Sequence, residues 1–342
     1  MSGVSLGYFD FFPVRIHENV AEFGRVPTWG TCTVTASKCE FVPVGQRVYG
    51  LVPISKYFKA TPRKSMDPTS WIDSAPHRTK RDVVYNTYTV LSLDRMYPGE
   101  ELEEAMILVR PLFLTAWLLR EAVMDLKVDT VIITSASSKT GAALAALLQQ
   151  SNRNLKLTIR IIGLTSAGNW SYTNSLGFYD QVLSYYDTQE GEAFLTTIES
   201  SSRVAVVDMA GNIPVLKQLQ LKLNQRLVKI FAVGITHVGD SDMSSTFSGK
   251  DFDPRYPKPE FFFAPKYAAL VLKRNPIALT QSATIDWLDF IQRYPLHIKH
   301  CETMAQIQDV LQDFVNGRVP GDISWVALLK NVELLPQIYS AL

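Results

Sequence analysis

The sequence lacks the features that mark several common classes of protein. Its three cysteines, Cys32, Cys39 and Cys301, are too few for a disulfide framework, and such sparse use is typical of a reducing compartment. With 34 Lys and Arg against 33 Asp and Glu, the formal net charge is +1. A nucleic-acid groove or an anionic membrane requires a basic surface, so we expect neither nucleic acid nor membrane as a partner.

Targeting and membrane-spanning patterns are absent as well. The first residues have no basic start followed by the apolar core of a signal peptide. The longest charge-free stretch, residues 161–179, contains Ser, Thr, Asn and Gly and is too polar to span a bilayer. We therefore expect a cytoplasmic protein.

Some catalytic signatures are also missing. The sequence contains no Tyr-x-x-x-Lys motif, on which the short-chain dehydrogenase mechanism depends. It contains no His-Glu-x-x-His motif and no Cys-x-x-Cys pair, which hold metal ions or carry redox disulfides. These absences exclude the corresponding enzyme classes.

The middle third of the chain has the clearest order. Short apolar runs rich in β-branched residues alternate there with segments rich in Ala and Leu. This pattern predicts strands alternating with helices, and therefore a parallel sheet covered on both faces. The predicted fold class is α/β with a doubly wound parallel sheet. The predicted strands are 130–135, 157–163, 180–186, 203–208 and 228–234, and the predicted helices between them are 139–148, 169–176 and 214–227.

The residues on either side of this core differ from it. Residues 24–60 hold short β-prone pieces punctuated by Gly and Pro, which predict a small β-rich unit. Residues 240–259 predict a long loop, either a functional lid or a surface segment. A helix over 303–314 and a strand over 323–328 follow. The apolar face of residues 287–294 and the edge of that last strand could support a homodimer.

The turn after the first predicted strand is the candidate ligand site, because chemistry in a doubly wound sheet lies at the carboxyl ends of the strands. A dinucleotide site usually has Gly-x-Gly-x-x-Gly there, and the three positions are Ala136, Ser138 and Gly141. The hydroxyls in this segment could donate to a phosphate and its lysine could add charge. A hydroxyl-rich helix start without a ligand is the alternative. A Walker-type loop is excluded because no glycine precedes Lys139.

Other strand ends complete the predicted nucleotide site. No acid occurs between Gly163 and Asn174, where NAD sites usually place Asp or Glu for the ribose hydroxyls, and this favours NADP(H) over NAD. An ordinary polar turn without a ligand is the alternative. Gly211 and Gly234 would let a nicotinamide ring approach the backbone, while Asp208 could instead cap the next helix. The candidate cofactor-binding residues are Ser135, Ala136, Ser137, Ser138, Lys139, Thr140, Gly141, Thr165, Ser166, Asn169, Asp208, Met209, Gly211, Gly234 and Thr236.

Several segments together resemble a known superfamily. Residues 45–50, 111–115 and 316–318, with the nucleotide-type core, are similar to the medium-chain dehydrogenase/reductase superfamily. A larger set, which covers most of residues 7–329, resembles DUF2855, a family of unknown function. These segments are RVPTWG at 25–30, APHR at 75–78, VYN at 84–86, LVRPLF at 108–113, SASSKT at 135–140, LGFYD at 176–180, VDMAGN at 207–212 and PEFFFAP at 259–265.

The resemblance implies a two-domain architecture. A GroES-like β domain would occupy residues 1–111, completed by 303–342, and a Rossmann domain that binds NADP(H) would occupy 112–302. Zinc-dependent members carry a Gly-His-Glu motif and a four-cysteine lobe, and neither is present, so no metal is predicted. The β domain begins late for the superfamily and could be truncated, which would expose a sheet edge.

Two functional hypotheses follow from the resemblance. The first is a zinc-independent, NADPH-dependent oxidoreductase that reduces a quinone or an activated C=C bond of a small-molecule substrate. Its candidate proton donors are Tyr49, Tyr85 and His237. The second is a catalytically silent nucleotide-binding or assembly protein on the same scaffold, which the replaced glycines favour. A methyltransferase is a third option, but the acid that would hold the ribose of the methyl donor is missing.

Overall fold

A computed structural model of the chain describes residues 8–14, 23–186, 198, 200, 202–234, 252–316 and 318–329. Over these residues the chain divides into two units. The first, here called the parallel-sheet unit, is Val109–Pro295, and the second, the β-rich unit, is Leu6–Leu108 together with Leu296–Leu342. None of the helices in the described part of the chain has the length and apolarity needed to cross a lipid bilayer.

The elements are named in chain order. The strands are β1 Pro13–Val14, β2 Phe23–Gly24, β3 Pro27–Thr33, β4 Arg47–Pro53, β5 Pro62–Lys64, β6 Ser70–Asp73, β7 Thr87–Val90, β8 Thr130–Thr134, β9 Arg160–Thr165, β10 Gln181–Ser184, β11 Val204–Asp208, β12 Leu227–Ala232, β13 Pro259–Phe261, β14 His297–Cys301 and β15 Ile323–Ala327. The α-helices are α1 Glu103–Leu126, α2 Lys139–Leu155, α3 Trp170–Ser175, α4 Ile213–Leu223, α5 Ala264–Arg274, α6 Ser282–Arg293 and α7 Met304–Val315.

The parallel-sheet unit is organised by one sheet, in the order β10-β9-β8-β11-β12-β13. Every neighbouring pair in it is parallel. Numbered within the unit, the order is 3-2-1-4-5-6, which is a doubly wound order. β8 and β11 are buried along their whole length, as expected for strands covered on both faces. The predicted α/β class with a doubly wound parallel sheet is therefore confirmed.

Some boundaries differ from the sequence prediction. β13 was not predicted from the sequence. Two of its three residues are exposed, so the strand has no run of buried apolar side chains that would mark it. α2 extends past its predicted end to Leu155, where Lys156 adopts the left-handed conformation that ends the helix. β9 consequently begins at Arg160 instead of residue 157. The predicted loop over 240–259 lies mostly outside the described residues.

The apolar face of α6 packs inside its own unit. Trp287 and Phe290 are buried, and the ring centroid of Phe113 lies 5.2 Å from that of Trp287 and 5.4 Å from that of Phe290. The sequence suggested that this face could support a homodimer. Its buried rings are covered within their own unit, and the homodimer itself stays a prediction.

The β-rich unit contains an antiparallel sheet in the order β3-β4-β7-β6-β5. Val48, Trp71 and Tyr88 belong to its core, and the ring centroids of Trp71 and Tyr88 lie 4.4 Å apart. The Arg78 side chain is 1% exposed and forms an ion pair with the equally buried Asp73. A charged pair is thus part of the core of this unit.

The C-terminal part of the β-rich unit consists of α7 and a two-stranded parallel sheet, β14-β15. The side chains of Thr303 and Gln306 each bond the other's backbone N–H in a capping box, which fixes the start of α7. The helix predicted over 303–314 and the strand predicted over 323–328 appear as α7 and β15.

Candidate functional site

The carboxyl ends of β8 and β11 form the switch point of the parallel sheet. The chain continues from β8 to β9 on one side, and β11 pairs with β8 on the other. Connections therefore leave the two neighbouring strand ends in opposite directions, which opens a crevice where ligands bind in doubly wound folds. The turn 135–138 and the start of α2 follow β8, and the turn 209–212 follows β11.

A buried hydrogen-bond network joins the two strand ends. The Thr134 hydroxyl donates to the Asp208 carboxylate and accepts from the N–H of Met209 at 3.2 Å. The other Asp208 oxygen accepts from the N–H of Gly211 at 2.8 Å. Burial of the fully enclosed carboxyl raises the pKa of Asp208, although these donors act in the opposite direction. Asp208 thus joins the strand ends and has both oxygens engaged.

The role of Asp208 as a helix cap, one of the alternatives from the sequence, is corrected by the structure. The N-cap of α4 is Asn212, whose side chain accepts from the N–H of Val215. Gly211, at φ +72°, turns the chain between Asp208 and that cap. Only glycine adopts such a conformation at little cost, so the extra turn separates the carboxylate from the helix start.

The bend that follows β8 is defined by Ser135, Ala136 and Ser138. Ser135 has φ +48°, an uncommon conformation for a residue other than glycine. The Ser138 N–H donates to the Ser135 carbonyl at 2.8 Å, and the Ser138 hydroxyl accepts from the N–H of Gly141 at 3.2 Å. A Cβ at Gly141 would lie 3.3 Å from the Cγ2 of Ile133, so glycine allows the close packing of helix and strand that the sequence predicted.

Two tyrosines that the sequence analysis did not single out hold this bend. The Tyr185 hydroxyl accepts the N–H of Ser135 at 2.8 Å, and the Tyr179 hydroxyl donates to the Ala136 carbonyl at 2.8 Å. Burial raises the pKa of both phenols. The inner side of the bend, with the fully buried Ala136, is therefore closed by side chains of the protein itself.

The glycine missing from the bend has a counterpart on the neighbouring strand. A Cβ at Gly163 of β9 would lie 3.0 Å from the Cβ of Ala136 and 2.9 Å from the Cδ1 of Tyr179. Because Gly163 has no side chain, β9 leaves room for the methyl group of Ala136. The bend can therefore turn tightly although it carries alanine in place of glycine. An isolated glycine inside an apolar strand pattern indicates close approach, and this was the signal in the sequence.

The outer side of the bend is more accessible. Ser138, Lys139 and Thr140 at the start of α2 are partly exposed, whereas Ser137 is 7% exposed. The N–H groups in the first turn of a helix have no acceptor within it, and the positive end of the helix dipole favours an anion there. The residues at the beginning of this helix of 17 residues could therefore hold a phosphate, while the inner bend residues support them.

The candidates after β9 separate into buried and accessible residues. Thr165 is 1% exposed, so its hydroxyl is not available to a ligand. Ser166 is exposed and Asn169 is partly exposed. The Asn169 carbonyl accepts from the Thr173 hydroxyl at 2.8 Å. Ser166 and Asn169 are the residues of this turn that could bind a ribose or its phosphate.

The end of β12 approaches the turn after β11. A Cβ at Gly234 would lie only 2.6 Å from the carbonyl oxygen of Met209, so backbone contact explains this glycine without a ligand. Met209 is 8% exposed. Thr236 and His237, predicted to follow this strand, lie outside the described residues.

The two tyrosine candidates for proton transfer belong to the β-rich unit. Tyr49 on β4 is 5% exposed, and its ring stacks on that of Trp29 with the centroids 5.5 Å apart. The Tyr85 carbonyl accepts from the Arg78 guanidinium at 2.6 Å, and its ring lies edge-on to Phe11. Both residues are part of the packing of their own unit. Among the described residues no cluster of three His, Cys, Asp or Glu could hold a metal ion.

Residues 1–320 match the model of a family described as protein of unknown function, DUF2855. No curated protein matches the sequence.

Solved structures share the fold at low sequence identity. A quinone oxidoreductase from Coxiella burnetii is 15% identical with a TM-score of 0.50, covering 88% of this chain and 78% of that chain. A protein described as an NADPH:quinone reductase from Mesorhizobium loti is 12% identical with a TM-score of 0.52, covering 89% and 77%. An oxidoreductase from Salmonella enterica in complex with NADP is 15% identical with a TM-score of 0.48, covering 95% and 86%. At this level of identity the likeness shows the fold alone, a Rossmann sheet with a GroES-like β unit.

Proposed function

We propose that this chain, which belongs to the DUF2855 family, is an NADPH-dependent, zinc-independent oxidoreductase that reduces a quinone or an activated C=C bond of a small molecule. The observation that carries the proposal is the switch point of the 3-2-1-4-5-6 sheet, where α2 begins with accessible polar residues. The fold shared with quinone reductases supports the reaction class only by analogy.

The residues at this switch point fit a dinucleotide. The diphosphate would lie at the start of α2, against Ser138, Lys139 and Thr140, because the N–H of Ser135 is occupied by Tyr185. Lys139 adds positive charge to the helix dipole. Gly141 allows the helix to pack closely on β8, so that its first turn lies next to the strand end. NADPH bound there would supply the hydride.

The preference for NADPH follows from the turn after β9. A carboxylate at this place would repel a 2′-phosphate, and no acid occurs between Gly163 and Asn174. The exposed Ser166 and the side chain of Asn169 would hydrogen-bond the phosphate or the ribose. Thr165, which the sequence placed in this set, would support the turn from within the core.

Titration with NADPH and NADH tests the cofactor. We expect NADPH to bind more tightly than NADH, and Lys139→Glu to weaken NADPH about tenfold, the size of a lost charge-assisted hydrogen bond. Lys266→Glu, the same change in the first turn of α5, is the matched control and should leave the affinity unchanged. If neither nucleotide binds at about 1 mM, the upper end of ordinary Michaelis constants, the proposal is wrong.

A second candidate function is nucleotide binding without catalysis. It is favoured by the packing of Tyr49 and Tyr85, whose rings are stacked or edge-on within the β-rich unit. A panel of quinones and enones separates the two proposals. Steady oxidation of NADPH with any of them excludes the silent alternative, whereas tight NADPH binding without turnover on the whole panel supports it.

A further inference from the structure

Tyr179 precedes β10 in the chain and Tyr185 follows it directly. The hydroxyl groups of both tyrosines form hydrogen bonds with the bend after β8. β9 lies between β10 and β8 in the sheet. The Tyr185 side chain therefore crosses the carboxyl end of β9 to meet Ser135, next to the turn that begins with Ser166. Tyr179 approaches from the other end of β10 and lies against Gly163.

The hydrogen bond from Ser135 to Tyr185 holds an unfavourable backbone conformation. A left-handed φ of +48° costs free energy in a residue with a Cβ, so Ser135 stays there only where its surroundings fix it. The Tyr185 hydroxyl, which accepts the Ser135 N–H, is such a contact. The Ser135 carbonyl in turn accepts from Ser138, and Ser138 caps α2 through Gly141. Tyr185 is thus connected to the helix start by consecutive hydrogen bonds.

We propose that Tyr185 is a positioning residue for the nucleotide diphosphate. Its hydroxyl fixes Ser135 in the left-handed conformation, and this orients the first turn of α2 towards the crevice. The inference rests on the proposed function, since it assumes that a dinucleotide binds at this helix start. Tyr185 acts through the bend and has no contact with the reacting atoms in this assignment.

The role of Tyr179 is different. Its hydroxyl donates to the Ala136 carbonyl and its ring fills the space beside Gly163, so it supports the packing of the bend on the sheet. Tyr185, in contrast, is only partly buried and engages an N–H, the kind of group that binds phosphate oxygens.

The test compares Tyr185→Phe with Tyr267→Phe. Tyr267 lies in the same unit, and its hydroxyl donates to Asp125 at 3.0 Å, so the control loses a hydroxyl contact elsewhere. The probes are NADPH and adenosine 2′-phosphate, which has no diphosphate. Tyr185→Phe should weaken NADPH about tenfold, the equivalent of one lost hydrogen bond, and leave adenosine 2′-phosphate unchanged because the ring is kept. Tyr267→Phe should change neither affinity.

A glycine at position 135 tests whether Tyr185 acts through the backbone conformation of Ser135. A side chain that only supported the packing of the sheet would not be replaced by this glycine. Glycine adopts a positive φ at little cost. Ser135→Gly added to Tyr185→Phe should therefore recover part of the lost NADPH affinity.

Each contrary result has a definite meaning. Equal loss for both probes, no loss of NADPH affinity, or no recovery in the double variant overturns the assignment of Tyr185 while the proposed function stands. A wild-type protein that binds neither NADPH nor NADH overturns the proposed function, and the role of Tyr185 with it.

Discussion

Each of the two units contains a buried polar network, and the two networks are built differently. In the β-rich unit, the Arg78 guanidinium donates to the Asn86 side chain at 2.9 Å and to the Tyr88 hydroxyl at 3.1 Å, and pairs with Asp73 at 3.4 Å. It also lies over the Phe12 ring, 4.8 Å from the centroid. The cation is 1% exposed, and these partners all belong to its own unit.

The network of the parallel-sheet unit reaches the surface. Thr134 and Asp208 are fully buried, but the neighbouring bend ends at partly exposed residues of α2. The hydrogen-bond partners of Thr134 and Asp208 are mostly backbone N–H groups of turns. Such groups could exchange one acceptor for another without exposing buried apolar side chains. The first network is thus enclosed within a core, whereas the second is arranged around a strand end. Perturbing the first should therefore change unfolding, and perturbing the second should change ligand binding.

The largest effect is expected from Arg78→Met. This change leaves the Asp73 carboxylate buried without its cation, which should lower the free energy of unfolding by about 3–5 kcal/mol. Arg81→Met is the control, because Arg81 pairs with Asp10 at the surface, and it should cost no more than about 1 kcal/mol. Urea denaturation measures both. Similar losses for the two variants would show that the buried pair is not special.

An intermediate effect is expected from Gly163→Ala, which forces a methyl group against Tyr179 and Ala136. Overpacking of this kind should cost about 1–3 kcal/mol of unfolding free energy and weaken NADPH binding by displacing the bend. Gly168→Ala, where a Cβ would meet nothing within 4 Å, is the control for stability.

A second change sharpens the same test. Ala136→Gly in the Gly163→Ala background moves the glycine back into the bend and should restore part of the affinity for NADPH. Unchanged binding and stability in Gly163→Ala alone would contradict the close contact between strand and bend.

The smallest effect is expected from Asp208→Asn, a change on the order of one hydrogen bond, about 1 kcal/mol. The Asp208→Asn variant is informative because it removes the contribution of the Asp208 carboxyl to the pH dependence of the unfolding free energy. The pKa of Asp208 is raised by burial above its usual 3.8, so its contribution to stability is present below that value and is lost as the pH rises through the folded-state pKa. The unfolding free energy of the wild type should therefore fall, relative to Asp208→Asn, as the pH rises.

Asp253 gives a control of opposite sign. Hydrogen bonds from Arg255 lower the pKa of Asp253 to about 2, so its contribution is lost as the pH falls from 3.8 towards 2. The difference between Asp253→Asn and the wild type should change between pH 3.8 and 2, whereas the difference between Asp208→Asn and the wild type should change above pH 3.8, with the opposite slope. A flat difference for Asp208→Asn would mean that its carboxyl has an ordinary pKa in the folded protein.

Much of the parallel sheet could be predicted from sequence because β8 and β11, buried along their length, are continuous apolar runs. β13 could not, since only Pro259 of its three residues is buried. Local patterns also place Ser138 at the start of α2, because serine is a preferred helix cap.

The candidate site was only partly predictable. The contacts of Tyr179 and Tyr185 with the bend join residues about 40 to 50 positions apart, and no periodicity indicates such pairs. Asp208 and Asn212 are both good cap types, and the choice between them depends on the left-handed turn at Gly211. Burial of Thr165, which removes it from the accessible set, depends on packing that the sequence of one turn does not contain.

The division of the chain has a consequence for synthesis on the ribosome. The β-rich unit joins Leu6–Leu108 to Leu296–Leu342, and a hydrogen bond of 2.9 Å between Glu104 and His300 links the two segments. The intervening Val109–Pro295 is continuous, so it can fold as soon as it emerges. The antiparallel sheet lies wholly within the N-terminal segment and does not need the later residues, whereas the contact between Glu104 and His300 can form only after the parallel-sheet unit has been synthesised.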